Sequence, residues 1–149
     1  SQCALALHLT TRYLFTITST RGISMMPTIP HSYNSNPVIL ISSLHRHGKG
    51  IQVGDIISFS HPILPNMYAA KRVIGMPGDY VSVVTPGKRE PDDEDASEVR
   101  EMMVQVPEGH CWVAGDNLDW SRDSRMFGPL PLALVRGKVV RMLGPWEVA

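Results

Sequence analysis

The chain has 149 residues, enough for one domain with a real core, and 43% of them are apolar, which excludes wholesale disorder. Lysine plus arginine equals aspartate plus glutamate at 14 each, so the basic excess of a nucleic-acid binder is missing. Twelve glycines and twelve prolines are many for a helical protein and suit short strands joined by turns. The two cysteines, Cys3 and Cys111, form no CxxC pair. They read as two separate buried thiols rather than as the staple of a mini-domain, with a disulfide between them left open.

The chain opens at Ser1 without a methionine, as a fragment or processed form would. Residues 3–17, CALALHLTTRYLFTI, are apolar apart from His8 and Arg12. As a helix they would span roughly 22 Å, short of the ~30 Å hydrocarbon core of a bilayer. Two expectations stand side by side: a docking helix or edge strand of the domain, and the end of a membrane anchor. Residues 1–20 are therefore taken as an N-terminal apolar segment and 21–149 as the main domain.

Beyond residue 20, short runs rich in Val and Ile alternate with Gly, Pro, Asn and Asp. They cover 38–41, 55–59, 68–74, 80–84, 103–106, 111–114 and 138–142, and they carry the signature of strands. The only stretch with a hint of helical periodicity is 97–103. The expected fold is mainly β, in small antiparallel sheets or partial barrels. Residues 86–101, PGKREPDDEDASEVRE, are polar, acidic and free of aromatics, and predict a solvent-exposed insertion between two strands. The six histidines lack metal-ligand spacing. Even His45 and His47, two apart, read as surface residues before a zinc site.

Three segments carry candidate chemistry. In residues 22–28, GISMMPT, Ser24 follows a glycine and precedes a Met-Met-Pro turn, and Pro27 restricts Met26 to extended backbone. A stiff, glycine-flanked serine can present a nucleophile beside backbone N–H donors, although a serine near Gly and Pro is ordinarily just a turn. Residues 68–79, YAAKRVIGMPGD, read as a strand entering a tight turn. Alternation puts Lys71 on a face with Ala69 and Val73, with Arg72 opposite. Such neighbours solvate an ammonium poorly and lower its pKa, as a lysine base requires; the commoner alternative is a lysine that snorkels from an edge strand. Residues 115–125, GDNLDWSRDSR, form a dense polar loop. They read either as a self-satisfied turn with a local Asp123–Arg125 pair, or as a scaffold that fixes active-site strands.

Taken in order, SMMPT, KRVIGMPGD and GDN followed by SRDSR resemble the signature boxes of type I signal peptidases, from about residue 20 to the C-terminus. The run GPLPLALVRGKVV brings the chain nearer to the mitochondrial inner-membrane members of that family. The resemblance implies a mostly-β, membrane-anchored serine endopeptidase with Ser24 as nucleophile and Lys71 as general base. It further implies that Ser121 orients the Lys71 amine, that Asp123 and Arg125 hold the region together, that Gly115 lies close to the lysine, and that Met25 packs near the dyad. Some bacterial members carry a serine two residues before the nucleophile whose hydroxyl serves the oxyanion hole. Here that position is Gly22, which leaves the backbone N–H of Ser24 as the identified donor.

The implied substrates are precursor proteins with cleavable sorting peptides, cut at the mitochondrial inner membrane by a domain facing the intermembrane space, beside a second homologous subunit; the alternative setting is a bacterial cytoplasmic membrane. No metal or organic cofactor and no nucleic acid enter. Two alternatives remain: a self-cleaving Ser–Lys protease of the SOS-repressor type, and a non-enzymatic β-barrel binding module. The first lacks a visible DNA-binding helix-turn-helix or internal cleavage segment. The second would show no Ser24-dependent cleavage.

Overall fold

The computed structural model describes residues 2–9, 13–31, 36–85 and 100–143. Among the described residues, helix α1 (Gln2–Leu9) is followed by nine strands: β1 (Phe15–Ser19), β2 (Val38–Ser42), β3 (Ile56–Ser60), β4 (Tyr68–Gly75), β5 (Tyr80–Thr85), β6 (Arg100–Gln105), β7 (His110–Ala114), β8 (Leu130–Pro131) and β9 (Val135–Met142). A one-turn helix, α2 (Ser124–Phe127), stands between β7 and β8.

Each expected run falls on a strand, and the mainly β, antiparallel fold expected from the sequence takes the form of one curled sheet, a partial barrel, with a small separate ribbon. Seven strands are hydrogen-bonded in the order β1-β2-β9-β3-β4-β7-β8, and β5 and β6 form a separate two-stranded ribbon; every pairing is antiparallel. Strands β1 and β4 stand four places apart in that order, yet both line one cleft, so the sheet curls over on itself. Register shifts in the β2–β9, β3–β9 and β4–β7 pairs add local twist that favours such curling.

Alternation does the local work. Along β4, Lys71 and Val73 are buried and Tyr68 and Ile74 exposed, because successive side chains point to opposite faces. The turn after β4 closes through Asp79 Oδ2, which accepts from the Met76 N–H at 2.8 Å.

The apolar residues gather in three clusters. Ile51, Ile57, Phe59, Val73, Cys111, Val113, Leu130 and Val135 form the main core. Met25, Ile29, Ile39 and Ile41 pack beneath the Ser24 segment, and Val81, Val83, Val106 and Trp112 beneath the ribbon. Each fully buried side chain of this size contributes about 1.5–3 kcal/mol of transfer free energy.

Several expectations are corrected. The stretch with helical periodicity ends in strand: residues 100–103 belong to β6, where Met102 and Met103 pair with Val83 and Ser82. The insertion is accordingly shorter than 86–101, since Arg100 and Glu101 already pair with β5; residues 86–99 lie outside the described residues. Cross-strand pairing overrides local pattern there, as tertiary context does to weak propensities. The N-terminal segment divides in two. Phe15–Ser19 is an edge strand on β2, whereas α1 has no buried residue. Among the described residues no helix is long and apolar enough to cross a membrane. Both cysteines are free. Cys3 is exposed, against the expected buried thiol, and Cys111 is buried, its thiol pushed up to about 12 by desolvation.

Candidate active site

Two segments distant in sequence meet at the cleft. Lys71 sits in the middle of β4, opposite Ile57 of β3, and is 5% exposed. Its amine donates to Ser24 Oγ at 2.5 Å, across 47 residues of chain. Burial drives the Lys71 pKa below the ordinary 10.5, while the charge of Asp123 pulls it partly back. A neutral amine in this place accepts a proton from the hydroxyl that it touches. A guanidinium, protonated at any ordinary pH, could not do so.

The segment holding Ser24 is fixed from two sides. Below it, buried Met25 packs with Ile29, Ile39 and Ile41, and Met25 also lines the cleft beside Ser24 and Lys71. From the side, Asn117 grips two successive carbonyls: its Nδ2 donates to Ile23 O at 3.1 Å and its backbone N–H to Ser24 O at 3.0 Å. A trans peptide unit holds its C=O and N–H antiparallel, so anchoring Ile23 O turns the Ser24 N–H away from Asn117. Gly22, before this segment, has φ +105°, a conformation that a side chain at this position would adopt only under strain.

Asp123 organises the third segment. It is completely buried and accepts from Ser121 Oγ at 2.7 Å, the Gly115 N–H at 2.9 Å and Arg125 Nε at 2.9 Å. It also caps α2, accepting from the Arg125 N–H. Desolvation alone would raise the Asp123 carboxyl. The bonds from Arg125, Ser121 and the backbone outweigh it and hold the carboxyl below 3.8. Arg125 reaches on to the Leu118 carbonyl at 2.7 Å, and Ser124 Oγ accepts the Val113 N–H at 2.9 Å. The 115–125 loop is thus both a local charged pair and a scaffold, tied to β7 and to Gly115.

The expected supporting residues gather here with one shift of partner. Ser121 donates to Asp123, which leaves its lone pairs to accept from an amine. A Cβ on Gly115 would run into the Ser121 hydroxyl and would stand 2.5 Å from both Ser121 Cβ and Ser24 O. The contacts demanding glycine are therefore the serines on either side of it.

Sequence reading missed the clamp behind the site. Arg72, on the outer face of β4, makes a two-pronged bond to Asp116 (Nε–Oδ1 2.8 Å, Nη2–Oδ2 2.7 Å) and also reaches Gly54 O and Thr28 Oγ1. One guanidinium so ties the strand of the lysine to the loop of Asn117 and the turn of the serine. Burial opposes Arg72's charge less than Asp116 favours it, and Asp116 is held below 3.8 in return. The signal was in the strings KR and GDN, but only the fold pairs them.

The cleft has a volume of about 430 Å³, with residues 18–22 and 24 on one wall and 68–71 on the other. Ser24 and Lys71 stand at one end of these walls and Thr18 and Tyr68 at the other, a shape for extended peptide. Among the described residues no group of three or more His, Cys, Asp or Glu has the arrangement to hold a metal ion.

A mainly β chain with a buried lysine bonded to a serine at the end of an extended cleft has the form of a serine–lysine hydrolase. The family model described as "Signal peptidase, peptidase S26" matches residues 2–89 and 84–144, and this chain belongs to that family of membrane serine endopeptidases. It is 40% identical over 137 residues to mitochondrial inner membrane protease subunit 1 of Saccharomyces cerevisiae, across 90% of this chain and 70% of that protein. Subunit 2 from Danio rerio is 34% identical over 125 residues, across 83% and 61%. A crystal structure of a signal peptidase I from Enterococcus faecalis aligns with TM-score 0.47 and 29% identity, over 61% of this chain and 97% of that one.

Proposed function

We propose that this chain removes sorting peptides from precursor proteins at the mitochondrial inner membrane, with Ser24 as nucleophile and Lys71 as general base. The observation that carries the proposal is the 2.5 Å bond between a buried, pKa-depressed amine and a hydroxyl at the end of a peptide-shaped cleft. Neutral Lys71 takes the Ser24 proton as Oγ attacks the scissile carbonyl. The ammonium formed gives that proton to the departing amine, and the neutral lysine then activates the water that breaks the ester. No histidine is needed, because burial brings the lysine base toward the operating pH.

In this scheme the Ser24 N–H receives the developing oxyanion, and Asn117 keeps it turned toward its task. Asp123 serves through Ser121: its carboxylate takes the Ser121 proton, so that the Ser121 oxygen is free to orient the Lys71 amine. Met25 shields the pair from water. The mitochondrial setting and a second, homologous subunit rest on the kinship with proteins named as subunits 1 and 2 of an inner membrane protease. The domain would face the intermembrane space.

The experiment is incubation of precursor proteins with the chain and its Ser24→Ala variant, followed by N-terminal sequencing of the products. New N-termini that depend on Ser24 support the proposal. Cleavage that persists in Ser24→Ala, or cuts only within this chain itself, refutes it.

A further inference from the structure

A second cavity of about 210 Å³ opens from the far end of the cleft, sharing Thr18, Ser58 and Tyr68 with it. Its distinguishing residues are two arginines. Arg46 comes from the short 3-10 segment Ser43–Gly48, and Arg136 lies on β9 with its guanidinium 4.4 Å above the Tyr68 ring. The ion pairs among the described residues join Arg72 to Asp116, Arg125 to Asp123 and Lys138 to Asp55, so neither cavity arginine meets a carboxylate there. Two like charges on one small cavity repel each other. Both are exposed, and an anionic group entering between them would relieve that repulsion.

We infer that this annex is a subsite for an acidic side chain of the substrate, read by Arg46 and Arg136 three to five residues from the cleaved bond. The inference rests on the peptidase reading above. The spacing follows from the wall: Tyr68 lies three residues from Lys71 on β4, about 10 Å at the rise of an extended strand. A peptide lying along that wall with its scissile bond at Lys71 brings its third residue to Tyr68 and the next ones to the arginines. The acidic residue belongs to the segment that is removed. An enzyme that releases different mature proteins meets only the discarded part as a shared feature. The cation–π contact with Tyr68 holds the Arg136 guanidinium at the cavity, and a planar guanidinium can offer a carboxylate two parallel bonds.

The test uses peptides that differ only in Glu, Gln or Lys at the third, fourth or fifth residue before the bond. Affinity for the Ser24→Ala protein is measured by fluorescence anisotropy, and kcat/KM for the active protein by cleavage. At one of these positions Glu is expected to exceed Gln by roughly 3–10-fold in both readouts, as a pair of partly exposed ion pairs gives. The advantage shrinks as salt rises and vanishes in the double variant Arg46→Gln, Arg136→Gln. The charge reversal Arg136→Glu reverses the preference in favour of Lys. Equal binding of Glu and Gln peptides, or a preference that survives the double variant, overturns the inference. So does a double variant that keeps the Glu preference but loses sedimentation with anionic vesicles of phosphatidylserine, which would make the annex a headgroup site. Glu-selective binding to the Ser24→Ala protein without cleavage by the unsubstituted one would separate the cases, leaving the subsite and removing the reaction.

Discussion

Gly115→Ala tests the site by geometry alone, because one methyl group is added where φ poses no obstacle. The new Cβ would stand 2.5 Å from Ser24 O and 2.5 Å from Ser121 Cβ, where ordinary contact begins near 3.4 Å. Something has to move by about 0.9 Å, and the choices are the backbone of the nucleophile or the residue bonded to Asp123. Displacement of reacting groups by about 1 Å costs on the order of 100-fold in rate. Overpacking of a buried site costs about 1–3 kcal/mol, which for a chain of this size lowers Tm by roughly 3–10 °C. The assay is kcat and KM on one peptide together with a thermal melt. Gly109→Ala is the control: its φ of +74° gives it backbone strain, but no atom lies within 4 Å of the added Cβ. It should lose stability and keep its kcat. Turnover by Gly115→Ala within twofold of the parent, with an unchanged melt, would refute the proposed closeness of Ser24, Gly115 and Ser121.

Three further outcomes follow from the same geometry. Asn117→Ala leaves the Ile23 carbonyl held only by the Met26 N–H, and it should lower kcat about tenfold with little change in KM, read from initial rates. Asp123→Asn strips charge from a fully buried acceptor facing Arg125, costing about 3 kcal/mol by denaturant titration. Because the folded-state pKa of Asp123 is depressed, its contribution is complete above 3.8 and is lost as pH falls through the lower folded value; the variant should show a flatter acid limb. Lys71→Met replaces a costly buried amine by an apolar chain and should match or exceed the parent's Tm at neutral pH. The unfolded chain binds more protons than the folded one between the depressed Lys71 pKa and 10.5, so the parent gains stability as pH rises through that window, and the variant's advantage should shrink there.

Much of this was legible in the residues themselves. The alternation of β4 placed Lys71 inward with Val73 and Arg72 outward, and the short Val- and Ile-rich runs found their strands. Legibility failed where partners come from far along the chain. Arg72 and Asp116 stand 44 residues apart, and Asn117 stands 94 from Ile23, so nothing local marks them as a clamp. Strand β6 takes its form from β5 rather than from its own pattern, and the two-residue β8 is too short for any periodicity. The N-terminal segment shows the limit of composition: one apolar stretch yields a helix with no buried residue and an edge strand that pairs with β2. Gly22 is the converse case. Its identity looked like the loss of a donor, and its φ of +105° is one that glycine adopts freely and a side chain does not.

Lys71, neutral and bonded to Ser24, is the base of the proposed reaction. The most direct measurement is the pH dependence of kcat/KM from pH 5 to 11 for the parent and for Lys71→Arg, since this parameter reports the ionisations of the free enzyme. A rising limb is expected in the parent with its midpoint below 10.5, and no turnover in Lys71→Arg at any pH. Turnover in Lys71→Arg with the same limb would contradict it. A limb below 6.5 that survives the substitution would point instead to His61, the imidazole whose pKa is depressed by burial and by the nearby charges of Lys71 and Arg122.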